Sequence, residues 1–139
     1  MKPTLRPGLS RTNRIKIDRD RTISFMGDEA RTYSTPSMIR DIEHTCRDLI
    51  LEHAADAGED SVGMEVAVKH LAPTLMGMTV TIDVQVKSVE GRKVSFEVGV
   101  KDDLDAVCSG THTRFVVEKA RTFERLKAKA ARVSAARKE

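Results

Sequence analysis

Three side chains of this 139-residue sequence are suited to acid–base and nucleophilic chemistry: Thr35, Glu43 and His70. A hydroxyl, a carboxylate and an imidazole are the groups that acyl transfer uses. The carboxylate can act as a base or a nucleophile, the imidazole can carry a proton, and backbone N–H groups at a helix start can hold an oxyanion. Whether the three side chains meet depends on the elements that carry them.

Glu43 lies on a predicted helix over residues 36–54. At about 100° per residue, its side chain projects within about 40° of Ile39 and about 20° of Ile50, inside the apolar stripe of the helix. A buried carboxylate without a partner is costly. Glu43 is therefore expected either to serve a site or to pair with Arg47 at the stripe edge. The stripe consists of Ile39, Ile42, Cys46, Leu49, Ile50 and Ala54.

Thr35 is predicted to cap the start of this helix, with Pro36 in the first helical position. A capping role does not exclude a second role for the hydroxyl. Thr35 lies about 12 Å from Glu43 along the helix axis.

His70 ends a predicted strand and shares the parity of its apolar residues, so it is expected to face the helix. The alternative is a structural histidine whose hydrogen bonds are satisfied. His112 has polar neighbours and is assigned to the surface or to a sheet edge. The residues that share the parity of His70 are Val62, Met64, Val66 and Val68.

Period-two alternation predicts three further strands, near residues 80–86, 94–100 and 107–117, and an edge strand is expected within 13–24. One long helix followed by four antiparallel strands gives an α+β domain over residues 13–120. The helix is expected to pack across the apolar face of a curved sheet of about five strands. Residues 1–12 are expected to be flexible, and residues 121–139 to form a basic amphipathic C-terminal helix.

Composition and charge exclude several classes of protein. The sequence has no run of 18 apolar residues and no signal-peptide pattern, so a cytoplasmic protein without membrane segments is expected. The two cysteines show no metal or redox spacing, so both are expected to be buried and no metal site is predicted. Residues 1–21 hold seven Lys/Arg against two Asp, whereas residues 22–117 hold nine against sixteen acidic residues. Because this acidic middle lacks interleaved aromatic residues, nucleic-acid binding is not expected.

Four segments resemble the hotdog-fold thioesterase family that is typified by the fluoroacetyl-CoA-specific thioesterase. They are the run from Thr35 to Glu43, the strand GMEVAVKH that ends at His70, the turn SVEGRKVSF and the segment SGTHTR. The resemblance covers about residues 33–119. It implies a long central helix wrapped by an antiparallel sheet, and a homodimer that binds acyl-CoA at the subunit interface. It also implies that Thr35, Glu43 and His70 are catalytic, that Gly63 lies at the acyl pocket and that Arg114 contacts coenzyme A.

The expected function is therefore hydrolysis of a short or small polar acyl-CoA to the free acid and CoA. CoA is part of the substrate, and no separate cofactor is expected. The family's phenylalanine-containing lid is replaced in this chain by DEARTY at residues 28–33, so fluoroacetyl selectivity is not predicted. Two alternatives stay open: a non-catalytic acyl-CoA-binding or sensing protein, and a hotdog hydratase. The basic ends of the chain are candidate partners for CoA phosphates.

Overall fold

A computed structural model describes residues 1–53 and 56–138. Its five strands form one antiparallel sheet in the order β1-β3-β4-β5-β2, with α1 against one face. The predicted α+β class, with about five strands and a C-terminal helix, is confirmed. The elements are β1 (Ser10–Lys16), α1 (Thr35–His53), β2 (Glu59–His70), β3 (Thr79–Glu90), β4 (Lys93–Lys101), β5 (Ala106–Glu118) and α2 (Lys119–Arg137).

The core lies between α1 and the alternate apolar residues of β3 and β4. Burial of one helical face and of every second strand residue provides the main stabilisation of this layer. Ile39, which was predicted in the stripe, is only half-buried, and Met38 occupies the core instead. Ala54, also predicted in the stripe, lies outside the described residues. The buried residues of this layer are Met38, Ile42, Cys46, Leu49, Ile50, Val80, Ile82, Val84, Val86, Val94, Phe96, Val98 and Val100.

The start of α1 differs from the prediction by one residue. The hydroxyl of Ser34 accepts a hydrogen bond from the N–H of Ser37 at 3.2 Å, and the carbonyl of Ser34 accepts from Met38 at 3.0 Å. Ser34 is therefore the N-cap, and the prediction that Thr35 caps the helix is wrong. Thr35 is the first helical residue, and its hydroxyl is available for another partner.

A bulge in β2 changes which side chains face α1. Gly63 pairs with Arg114 and Glu65 with Thr113, so Met64 is an extra residue without a partner on β5. Because directly opposite residues point to the same face, the inward-facing residues of β2 have odd numbers before the bulge and even numbers after it. The prediction that Val62 and Met64 share a face with His70 is therefore wrong. For the stretch from Val66 to His70 the parity is as predicted.

The N-terminal segment departs from the expectation of a flexible tail. Leu5 is 5% exposed within the core, and the N–H of Gly8 donates to the carbonyl of Val86 at 2.9 Å. Residues 10–12 already belong to β1, which pairs with β3 at the sheet edge. The predicted edge strand therefore exists but begins and ends earlier than residues 13–24.

Helix α2 follows β5 without a loop, and none of its described residues is buried. Residue 139, the last of the predicted C-terminal helix, lies outside the described residues. The described helices include none that is long and apolar enough to cross a membrane. Both cysteines, Cys46 and Cys108, are buried as predicted.

Replacing Ser34 by alanine should lower the free energy of unfolding by about 1 kcal/mol, because the N–H of Ser37 loses its acceptor. Replacing Thr35 by alanine should lower it by less than half of that, since Thr35 does not cap the helix. Urea unfolding of the two variants measures the difference. An equal or larger loss in the Thr35→Ala variant would contradict the assignment of the cap.

Candidate active site

Thr35 and His70 meet where the start of α1 faces the end of β2. The Oγ1 atom of Thr35 lies 2.7 Å from Nδ1 of His70. The other ring nitrogen, Nε2, is buried and has no hydrogen-bond partner among the described residues. A buried polar atom without a partner is costly, which makes Nε2 a natural place for a substrate or water to bind. Burial lowers the pKa of His70 below its ordinary value, and the nearby backbone of Ala72 opposes this shift.

Glu43 lies two turns further along α1. Its side chain is 37% exposed, so the prediction that Glu43 is buried is wrong. The alternative pairing with Arg47 does not form, because Arg47 binds both carboxylate oxygens of Asp60 at 2.9 and 2.7 Å. Among the described residues, the nearest basic group to Glu43 is His112, whose Nε2 lies 4.0 Å from Oε1. The carboxylate is therefore open to a substrate and is not neutralised by a direct ion pair.

Gly63 lies beside the Glu43 carboxylate, which occupies the space that a side chain at position 63 would need. A Cβ atom at position 63 would stand 2.7 Å from Oε1 of Glu43 and 3.4 Å from Cε1 of His112. The backbone of Gly63 does not need a positive φ, so the requirement for glycine at this position is one of space. The sequence resemblance implies that this glycine lies at the acyl pocket, and in the structure its immediate neighbour is the Glu43 carboxylate.

The prediction that His112 lies at the surface or at a sheet edge is wrong, because His112 is 1% exposed and faces α1. It shares its parity on β5 with Cys108, Arg114 and Val116, which are also buried. This shared parity is the feature of the sequence that could have revealed the burial of His112. The polar neighbours in SGTHTR concealed it, because alternating polar residues suggest an exposed strand.

Arg114 is also buried, at 5% exposure, and its guanidinium group is held on two sides. Its Nε donates to the hydroxyl of Ser61 at 2.7 Å and its Nη2 donates to the carbonyl of Ser61 at 2.8 Å. Its Nη1 lies 3.2 Å from Nε2 of His112. The fork geometry of arginine thus fixes a cation close to the Glu43 carboxylate.

A buried polar network that the sequence did not reveal fixes the segment before Thr35. The Tyr33 hydroxyl donates to Oδ2 of Asp41 at 2.6 Å, and Nε of Arg21 donates to the same oxygen at 2.9 Å. Burial and the neighbouring Asp41 carboxylate raise the pKa of Tyr33. Tyr33 precedes Thr35 by two residues, so this network anchors the chain immediately before Thr35.

The structure brings the predicted site residues together in two groups. The first group is Thr35 with His70, and the second is Glu43 with Gly63 and Arg114. Thr35 and Glu43 are eight residues apart on α1, about 12 Å along the axis. Gly63 and His70 are seven residues apart on β2, about 20 Å along the strand. Within one chain, Glu43 and His70 are therefore not in contact.

The side chains that commonly ligate metal ions are dispersed over the fold. In the described part of the chain, no three His, Cys, Asp or Glu side chains are arranged to hold a metal ion. Burial raises the pKa of the Cys46 thiol to about 12 and also raises that of Cys108. Both thiols are therefore protonated near pH 7 and pack as small apolar groups.

Proteins of known structure have the same architecture and related sequences. A solved hot-dog-like protein from Thermanaerovibrio acidaminovorans superposes with a TM-score of 0.81 at 26% identity, over 92% of this chain and 93% of that one. A variant of the fluoroacetyl-CoA-specific thioesterase, solved in complex with fluoroacetate and CoA, superposes with a TM-score of 0.78 at 29% identity, over 85% and 99% of the two chains. The fold is therefore the hotdog fold, as the resemblance in sequence implied.

The sequence comparison identifies the family. Residues 17–120 match the family described as fluoroacetyl-CoA-specific thioesterase. The chain is also 31% identical, over 124 residues, to the fluoroacetyl-CoA thioesterase of Streptantibioticus cattleyicolor, and the match covers 84% of this chain and 88% of the relative. The chain belongs to the fluoroacetyl-CoA-specific thioesterase family.

Proposed function

We propose that this acyl-CoA thioesterase hydrolyses a short or small polar acyl-CoA at a site formed by Thr35, Glu43 and His70. The observation that carries the proposal is the 2.7 Å contact between Thr35 and His70, which leaves the buried Nε2 of His70 without a partner among the described residues. The hydrolysis adds water to the thioester carbonyl, breaks the carbon–sulfur bond and needs a proton for the departing thiolate. An imidazole, a carboxylate and an oxyanion donor can supply these steps.

His70 is assigned to proton transfer. Because burial lowers its pKa, the ring is neutral near pH 7. The Thr35 hydroxyl can donate to Nδ1 or accept from it, so Nε2 can act as a proton donor or as a proton acceptor. Thr35 therefore orients the imidazole in either tautomer.

Glu43 is assigned to the attack on the thioester carbonyl, either directly or through an activated water molecule. The buried Arg114 lies on the carboxylate side of the site and already donates two hydrogen bonds to Ser61. This burial favours a role for Arg114 beside Glu43 over contact with the CoA phosphates. We assign the phosphates to exposed Lys and Arg side chains of α2, because exposed cations can reach a solvated anion.

The separation of the two groups supports a site that is shared between two copies of the chain. Glu43 and His70 must approach one thioester together, yet in a single chain Glu43 lies beside Gly63, about 20 Å along β2 from His70. β2 is an edge strand of the sheet, and it exposes the apolar side chains of Val62, Met64 and Val66. Such an edge favours pairing with another strand.

Antiparallel pairing of two β2 strands about a twofold axis would join the two groups. An axis near Val66 would bring the partner subunit's His70 close to Gly63, and therefore close to Glu43. Each composite site would then contain Glu43 from one protomer and the Thr35–His70 pair from the other. The homodimer is thus proposed as the active form.

The acyl group is proposed to be small. The segment before Thr35 contains a short 3-10 turn, Asp28–Ala30, in which Asp28 pairs with Arg19 at 3.2 Å and with Arg31 at 3.1 Å. Tyr33, the aromatic residue of this segment, is 2% exposed and bound to Asp41. No aromatic side chain of residues 28–33 is therefore free to cover a fluorinated acyl group, and fluoroacetyl selectivity is not proposed.

The test is release of free thiol from a panel of acyl-CoA substrates: acetyl, fluoroacetyl, propionyl, malonyl and hexanoyl. We expect the highest kcat/KM with acetyl or another small acyl group. Glu43→Ala and His70→Ala should each lower kcat by about 10²- to 10⁴-fold, because each removes a group used in the chemical step. His44→Ala, which removes an exposed histidine of the same helix, is the matched control and should retain full activity.

Three results would overturn the proposal. Undiminished thiol release by both variants would exclude the assigned roles. Binding of acyl-CoA without thiol release would favour a binding or sensing protein, and addition of water to an enoyl-CoA without thiol release would favour a hydratase.

Replacing Gly63 by alanine should lower kcat by about 10- to 100-fold, because the added methyl group displaces the Glu43 carboxylate. Gly99→Ala is the matched control, since a Cβ there has only the carbonyl oxygen of Cys108 within 4 Å, at 3.9 Å. Thermal unfolding of both variants checks that the fold is intact. Full kcat in a folded Gly63→Ala variant would show that the position of Glu43 in this structure is not the reactive one.

A further inference from the structure

His112 is a buried ionisable group that the proposed mechanism does not use. Its ring stacks on Phe96 with centroids 6.5 Å apart and an interplanar angle of 24°. Both ring nitrogens are occupied: Nδ1 lies 2.8 Å from the carbonyl oxygen of Glu65, and Nε2 lies 3.2 Å from Nη1 of Arg114. This arrangement holds the ring rigidly beside Glu43.

The two partners fix the proton of His112. A carbonyl oxygen only accepts, so Nδ1 carries the proton and donates to Glu65. A guanidinium group only donates, so Nε2 must accept from Arg114. Both bonds therefore require the neutral ring with its proton on Nδ1. Burial and the charge of Arg114 lower the pKa of His112, while the nearby Glu43 carboxylate opposes the shift.

The accepting nitrogen of His112 determines where Arg114 points. Nε and Nη2 of Arg114 are held by Ser61, and His112 holds the remaining Nη1. Oε1 of Glu43 lies 4.0 Å from the same Nε2. A Cβ atom at position 63 would lie 2.7 Å from Oε1 of Glu43 and 3.7 Å from Nη1 of Arg114. The carboxylate and the guanidinium thus both border the space left by this glycine.

We propose that His112 is a positioning residue: its neutral Nε2 holds Arg114, and the charge of the Arg114 guanidinium then keeps the Glu43 carboxylate in its reactive orientation. The inference rests on the proposed function, because it acts through Glu43. A displacement of a reacting group by about 1 Å costs about 10²-fold in rate, so such positioning has a measurable effect.

Two substitutions separate the two hydrogen bonds of His112. In His112→Gln the amide oxygen can take the place of Nε2 and accept from Arg114. In His112→Asn the shorter amide can take the place of Nδ1 and donate to Glu65, but it does not reach Arg114. We expect His112→Asn to lower kcat for acetyl-CoA by about 100-fold with little change in KM. We expect His112→Gln to stay within about fivefold of the wild-type kcat.

A purely structural histidine would give a different result. It would lower the thermal unfolding temperature in both variants and leave kcat equal in the two folded proteins, and that outcome would overturn the inference. Arg114→Lys keeps the charge but not the fork that contacts both Ser61 and His112, so it should lower kcat as His112→Asn does. Full kcat in Arg114→Lys would overturn the inference even if both His112 variants failed to fold.

The same experiment distinguishes this inference from the proposed function. A wild-type protein that releases no thiol from any substrate contradicts the function itself. A wild-type protein that is active, with His112→Asn as active as His112→Gln, contradicts only the role of His112.

Discussion

The bulge at Met64 determines which side chains of β2 face α1, and the arrangement of the site depends on it. Before the bulge Gly63 faces inward opposite Arg114, and after it His70 faces inward opposite Cys108. If Met64 paired in regular register, His70 would stand opposite Val107 and would point away from Thr35. One extra residue therefore allows a single strand to serve both groups of the site, which agrees with the frequent occurrence of bulges next to active sites.

In the proposed mechanism, the two groups divide the chemistry between them. The Thr35–His70 pair is neutral and leaves one buried nitrogen free, which suits proton transfer. The group around Glu43 contains a half-exposed carboxylate and the buried cation of Arg114, which suits attack on a carbonyl carbon. Assembly of two chains along β2 would complete the site.

Periodicity in the sequence was sufficient to predict α1, the alternation of β3 and β4 and the inward direction of His70. It could not locate the bulge, because Val62, Met64 and Val66 are all apolar and alternate without interruption. The predicted helix cap lies one residue too late, since Ser34 and Thr35 are adjacent and both can cap a helix.

Other parts of the site depend on tertiary contacts that local patterns do not record. The burial of His112 could not be predicted because the inner face of β5 is polar where it lines the site. The network of Tyr33, Asp41 and Arg21 could not be predicted because its members come from separate segments. The resemblance in sequence named five site residues, but it gave no distances along β2, so it did not show that they form two groups.

The central claim is that Glu43 of one protomer acts with His70 of the other. A heterodimer that combines one Glu43→Ala chain with one His70→Ala chain, purified through two different affinity tags, tests it directly. If each site takes Glu43 from one chain and His70 from the other, one of the two sites in this heterodimer keeps both residues and the other keeps neither. The heterodimer should therefore show about half of the wild-type turnover, whereas each parent homodimer is inactive. An inactive heterodimer, or a monomer with full turnover, would contradict the account.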